Sequence, residues 1–231
     1  MEKTVLITGA SRGIGLALAR RLAARGDRVV ATARDPNAAS ALHEASEAAA
    51  PGWIEIRELD VTDPDAVEDL AGKLDRVDLL ICNAGQYRAR GGIESPDHTR
   101  EAWESVLMTN IAGVFFTARG VLPRLAAAET PKIAVISSIM ASSANAPGGS
   151  HLYRASKAAA TNLARNLAVD LKPRGIAVGA YHPGWVRTDM GGAGANISVE
   201  ESAAGLVARF DALSLETTGV FEDYRGHPMS F

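Results

Sequence analysis

Tyr153 and Lys157 stand four residues apart in a stretch, 153–171, whose apolar spacing predicts a helix. Positions i and i+4 lie about 40° apart around a helix and about 6 Å apart along it. That pairing has a specific chemistry. Reducing a carbonyl to an alkoxide needs a proton donor, and a tyrosine with a pKa of about 10 releases its proton reluctantly at neutral pH. A nearby ammonium stabilises the phenolate and is expected to lower that pKa. Ser138, which follows an apolar strand, can hold a carbonyl oxygen in line with Tyr153, with Ser137 as the competing hydroxyl. His43, His98, His151, His182 and His227 are dispersed without ligand spacing, so no metal is expected.

A second constellation lies near the start of the chain. The strand Val5-Leu6-Ile7 runs into Thr8-Gly9-Ala10-Ser11-Arg12-Gly13-Ile14-Gly15, and a helix over 14–24 follows. Helix N-termini attract anions through unpaired N–H groups and the positive end of the dipole. Glycines allow the tight bend and let the backbone approach a pyrophosphate. The spacing is G-x-x-x-G-x-G, not the G-x-G-x-x-G fingerprint, but its place after the first strand of a βαβ unit reads as a nucleotide site. A strand over 28–32 is followed by Arg34 and Asp35. An acid in this region takes the ribose 2′-OH of NAD, whereas an arginine takes the 2′-phosphate of NADP. Arg34, with Arg12 as a second positive charge, points to NADP(H) over NAD(H). The competing assignment makes Asp35 the ribose ligand and Arg34 a solvated loop residue.

Such groups must be carried to one edge of a common scaffold. After the second strand come a helix over 38–50, a strand over 53–56, and a helix from an Asp63 cap to about 74 with Pro64 in its first turn. A strand over 77–82, a long helix over 99–119, a short helix over 122–128 and a strand over 132–137 follow. The helix over 153–171 leads to a strand over 176–181, a helix over 199–213 and a last strand at 220–221. The alternation predicts an α/β fold: a single doubly wound parallel-sheet Rossmann domain over 1–231, with about seven strands and helices on both faces. In such folds ligands bind outside the carboxyl ends of the strands.

Composition trims the alternatives. The 231 residues include 22 glycines without a G-X-Y period and 47% hydrophobic residues, which excludes collagen and disorder. One cysteine, Cys82, excludes an intrachain disulfide framework and a multi-thiolate zinc site, and predicts a reducing, cytoplasmic setting. Lys and Arg number 24 against 27 Asp and Glu, a net charge of −3, and the arginines are scattered, so no nucleic-acid partner is expected. No uninterrupted run approaches the roughly 18 apolar residues of a membrane span.

Taken together, the ordered pieces resemble the short-chain dehydrogenase/reductase family over essentially the full length. They are Thr8 to Gly15, Asp60-Val61, Asn83-Ala84-Gly85, Asn110, Ser137-Ser138, Tyr153-Arg154-Ala155-Ser156-Lys157, and Pro183-Gly184 followed by Thr188. Within the family the chain is similar to the small carbonyl-reductase-like branch that includes C-factor-like proteins. The resemblance implies Asn110, Ser138, Tyr153 and Lys157 as the catalytic set, with Asn110 holding a water linked to Lys157 through its side chain or backbone. It implies cofactor contacts from the Gly9, Ser11, Arg12, Gly13, Ile14 and Gly15 turn and from Arg34. Asp60 and Val61 would meet the adenine, and Asn83, Ala84 and Gly85 the adenine-ribose side. Tyr153, Lys157, Pro183, Gly184, Val186 and Thr188 would contact the nicotinamide half. Gly191 to Ala195 falls where the family carries a mobile substrate lid.

The implied activity is NADP(H)-dependent interconversion of a small-molecule carbonyl, an aldehyde or ketone, and an alcohol, with Tyr153 as general acid/base. The alternative is a non-catalytic NADP(H)-binding regulatory or sensor protein, against which stands the retention of both Tyr153 and Lys157. Relatives pair through their long helices, which implies a homodimer or homotetramer.

Overall fold

Seven short aliphatic runs become the strands of one parallel sheet in a computed structural model that describes residues 2–231. They are β1 (Thr4–Ile7), β2 (Arg28–Ala33), β3 (Trp53–Glu58), β4 (Leu79–Cys82), β5 (Lys132–Ile136), β6 (Ala177–His182) and β7 (Phe221–Asp223). Their order is β3-β2-β1-β4-β5-β6-β7, every pair parallel. The chain order reverses between β1 and β4, which opens a crevice at the carboxyl ends of those strands.

Successive strand residues point to opposite faces, so β1 feeds two cores at once. Val5 and Ile7 pack with Leu18, Leu22 and Phe210 on the face covered by α1 (Gly13–Ala24), α2 (Ser40–Glu47) and α7 (Val199–Ala212). Leu6 packs with Val67, Val121 and Ala164 on the other face. There α3 (Pro64–Gly72), α4 (Arg100–Leu107), α5 (Gly113–Leu125) and α6 (His151–Leu171) lie.

The helix pair expected at 99–119 and 122–128 is one continuous path. A π-turn over Met108–Ala112 joins α4 to α5, and α5 runs through Pro123 to Leu125. Pro123 has no N–H to donate to the Arg119 carbonyl, so it costs α5 one ladder bond, and the helix ends two residues later. This path, Arg100–Leu125, contains a window of mean hydropathy 1.4, long and apolar enough by composition to cross a membrane. In the fold its Val114, Ala118, Val121 and Leu125 are buried against the sheet, which accounts for the apolar composition.

Cys82 ends β4, and burial pushes its thiol up to about 12. A thiol held protonated is a poor nucleophile. The folded protein should therefore leave Ellman-type reagent unreacted at pH 8 and release one thiol on denaturation. Stoichiometric labelling of the native protein within seconds would contradict this burial.

Candidate active site

The turn after β1 is shaped by backbone contacts that admit no side chain. Gly9 has a φ of +66°, and a Cβ there would stand 2.8 Å from the Ala84 Cα. A Cβ on Gly15 would stand 2.6 Å from Asn83 Nδ2. Asn83 braces the same turn, its amide donating to the Thr8 carbonyl at 3.0 Å and the Gly9 carbonyl at 2.8 Å. Its amide nitrogen is thus occupied by protein, although the residue lines the cleft. Helix α1 opens with no side-chain cap from Arg12, which leaves first-turn N–H groups to an anion.

A cleft of about 710 Å³ runs along the carboxyl edge from this turn. It gathers Gly9, Ser11, Arg12, Gly13, Ile14, Gly15, Arg34, Asp60, Val61, Asn83, Ala84, Gly85, Tyr153, Lys157, Pro183 and Thr188 along one wall system. The two charges beyond β2 divide their work. Asp35 accepts from the Asn37 and Ala38 N–H groups and caps a short 3-10 turn, whereas Arg34 borders the cleft and forms no ion pair among the described residues. Arg12 differs from the expectation of a second free positive charge. Its guanidinium pairs with Asp189 at 2.5 Å, a contact 177 positions away in sequence. Asp60 closes a local turn by accepting from the Thr62 N–H and hydroxyl. Val61 is buried and packs against Gly113.

The catalytic candidates meet at the ends of β4 and β5. Tyr153 and Lys157 share the inward face of α6, both buried, with Nζ 5.8 Å from the tyrosine ring centroid. Lys157 Nζ donates to the Ile136 carbonyl at 2.8 Å. Burial pushes Tyr153 up to about 12, and the Ser138 hydroxyl beside it opposes the shift. The tyrosine lowering expected from the lysine is not what this environment produces. Lys157 itself is depressed to about 8 by burial, so removal from water dominates both groups.

Of the two serines, Ser137 is spent on the Thr161 hydroxyl, and Ser138 stands beside the phenol. Ser138 does not border the main cleft volume, whereas Ser137 does. Asn110 lies in the π-turn, also off the cleft, and its side-chain amide is held by protein on both sides. Oδ1 accepts from the Gln86 N–H at 2.8 Å, while Nδ2 donates to the Gln86 carbonyl and to Ser156 Oγ. Both Nδ2 hydrogens are thus committed, so a relay water would have to use the second lone pair of Oδ1 or the Asn110 backbone.

Two expected nicotinamide contacts are set back from the cleft. Val186 is buried and forms an isolated bridge with Ile197, and Gly184 (φ +85°) is pressed against the Ile197 side chain. Both hold the returning arm of the flap that follows β6. The flap is a formed loop: Trp185 Nε1 donates to the Gly191 carbonyl at 2.9 Å, and the Gly191 N–H donates to Thr188 Oγ1 at 3.0 Å. Gln86, Thr109 and Met190 also line the cleft and carry no sequence motif, although Gln86 directly follows Asn83-Ala84-Gly85.

Beside the flap, His182 is depressed to about 4 by burial, with Asp223 opposing, and its Nδ1 has no partner. A histidine kept neutral in the folded state but protonated when unfolded removes stability as pH falls from 6.5 towards 4. The loss should reach about 3 kcal/mol. Urea unfolding at pH 7, 5 and 4 should show it, and His182→Gln should flatten that limb. An equally steep limb in the variant would assign the loss elsewhere.

The chain is similar to several known proteins. The profile of the short chain dehydrogenase family matches residues 3–196. The 3-oxoacyl acyl-carrier-protein reductase FabG of Escherichia coli is 34% identical over 214 residues, covering 91% of this chain and 82% of FabG. A carbonyl reductase from Pseudomonas aeruginosa PAO1, solved in complex with NADP, is 36% identical with a TM-score of 0.87 and full coverage of both chains. The NADPH-bound carbonyl reductase from chicken fatty liver is 32% identical with a TM-score of 0.90, covering 100% of this chain and 99% of that one. With a glycine turn of this shape, a buried Tyr153–Lys157 pair and a family match across most of its length, the chain belongs to the short-chain dehydrogenase/reductase family of oxidoreductases.

Proposed function

We propose that residues 1–231 form one NADP(H)-dependent oxidoreductase domain that interconverts an aldehyde or ketone and the corresponding alcohol, with Tyr153 as general acid/base. The carrying observation is the buried Tyr153 phenol beside Ser138, one helical turn from Lys157, at the end of a cleft floored by the glycine turn. The residues present fit the dinucleotide. Without Cβ atoms, Gly9 and Gly15 let the turn pack against Ala84 and Asn83 and bend tightly enough to bring backbone to a pyrophosphate at the uncapped start of α1. Arg34, without an acidic partner among the described residues, suits a 2′-phosphate, while Asp35 is consumed by its own turn. Arg12 would join it once released from Asp189. NADPH, when bound, supplies the hydride for the carbonyl carbon.

The chain's own groups manage the oxygen and the proton. Ser138 orients the carbonyl oxygen towards the Tyr153 hydroxyl, which donates its proton as negative charge develops there. A phenol pushed up by burial is fully protonated at neutral pH, which suits the donor role in reduction. Lys157 carries its positive charge on the cleft floor, near Gly85, and holds its place through the Ile136 carbonyl. A relay water, in this reading, is held by the Asn110 backbone.

A panel of aldehydes and ketones offered with NADPH and NADH in parallel tests the proposal. Steady NADPH oxidation dependent on a carbonyl compound is expected. Absence of turnover across the panel would count against it.

A further inference from the structure

Tyr87 lies two residues beyond Gly85, outside every motif that carries the family resemblance. Its ring sits on the ring of Tyr153, with centroids 4.3 Å apart and planes tilted by 32°. Its hydroxyl shares a 2.7 Å hydrogen bond with Ser150 Oγ, the residue that opens α6. Ser150 has a left-handed φ of 48°, and its N–H donates to the Gly91 carbonyl at 2.7 Å. The loop after β4 therefore grips the start of the catalytic helix twice, once by a side chain and once by backbone.

The same loop reaches the flap. The Arg90 guanidinium lies 4.4 Å from the Tyr87 ring centroid and donates to the Met190 carbonyl at 2.8 Å. Met190 borders the cleft, and its neighbour Asp189 pairs with Arg12 of the glycine turn. A planar guanidinium can lie on a ring and still offer N–H donors at its edge, so Arg90 serves both contacts together. Rotating the Tyr153 ring would break its stack on Tyr87. Lifting the flap would break the Arg90 bond.

We propose that Tyr87 is a positioning residue for the Tyr153 proton donor and that Arg90 tethers the flap to it, so that the pair sets the size of carbonyl compound admitted. The inference rests on the reading of Tyr153 given above. A misplacement of about 1 Å at a reacting group can cost up to about 100-fold in rate. Loss of the tether should instead act on substrate binding, which separates KM from kcat.

The test uses the full chain as wild type and as Tyr87→Ala, Tyr87→Phe and Arg90→Ala, each with its thermal midpoint and NADPH affinity measured. Tyr87→Ala should lower kcat by about 10- to 100-fold with NADPH affinity unchanged, and Tyr87→Phe, which keeps the ring, should recover most of that loss. Arg90→Ala should keep kcat within about twofold, raise KM for a small aldehyde and shift kcat/KM by about tenfold towards a bulky ketone. Amide hydrogen exchange supplies a readout independent of turnover: the first turn of α6 should exchange faster in Tyr87→Ala, and the flap at 184–198 faster in Arg90→Ala. Wild-type kcat in a folded Tyr87→Ala, or flap exchange unmoved by Arg90→Ala, would overturn the proposal. If the wild type reduces no carbonyl compound, the reading of Tyr153 fails, and exchange alone still decides whether the grip and tether exist.

Discussion

Tyr153→Phe is expected to lower carbonyl reduction by about 10²- to 10⁴-fold, the range over which a positioned acid acts. The substitution removes one oxygen and little else. Phenylalanine fills the same buried volume, keeps the ring contact with Tyr87 and keeps the ring in place over Lys157. Lys157 retains its bond to the Ile136 carbonyl, so the floor on which the nicotinamide half would rest is undisturbed. NADPH affinity, read by quenching of protein fluorescence, should therefore stay within about twofold of wild type, because the lost hydroxyl serves the transition state and not the bound nucleotide. The two measurements must be made on one preparation. A folded Tyr153→Phe protein that reduces its substrate at the wild-type rate would remove Tyr153 from the mechanism. A large loss of NADPH affinity would instead make the tyrosine a binding residue.

The same residue marks how far the sequence could be read. Tyr153 and Lys157 were legible as a pair because a helix of fixed pitch turns spacing into proximity. The glycine turn was legible for a similar reason: a bend between a strand and a helix is specified by its own few residues. Contacts made by distant segments were not. Arg12 reads as a free positive charge until the flap brings Asp189 beside it, and Val186 reads as a cleft residue until Ile197 returns to cover it. The π-turn within the helix expected over 99–119 was not legible either, because the Asn110 amide ties it to Gln86 and to α6. The break expected between 119 and 122 is absent, since α5 runs on through Pro123 to Leu125. The upward direction of the tyrosine shift was not legible, because a neighbouring charge is visible in the sequence whereas the burial that drives the shift is a property of the packed fold.

The second large effect is expected at Arg34, on the choice between two cofactors that differ by one phosphate. It borders the cleft just beyond β2, exposed, with no carboxylate opposite it among the described residues. Asp35, the residue that would favour an unphosphorylated ribose, spends its carboxylate oxygen on the Asn37 and Ala38 N–H groups. A hydrogen bond to a charged group contributes about 1.5–3 kcal/mol. Arg34→Ala should therefore weaken NADPH binding by roughly 10- to 100-fold and leave NADH binding unchanged, since only NADPH carries the group that the guanidinium meets. Arg34→Glu should go further, adding repulsion towards the phosphate while offering a carboxylate to the ribose hydroxyl. Titration of both cofactors against both variants separates preference from general damage. Equal losses for NADPH and NADH would mean that Arg34 shapes the cleft without reading the phosphate. No loss for either would transfer the role to Arg12, whose pairing with Asp189 must then open when NADPH binds. Asp189→Asn distinguishes that case: with Arg12 no longer neutralised, it should tighten NADPH and leave NADH where it was.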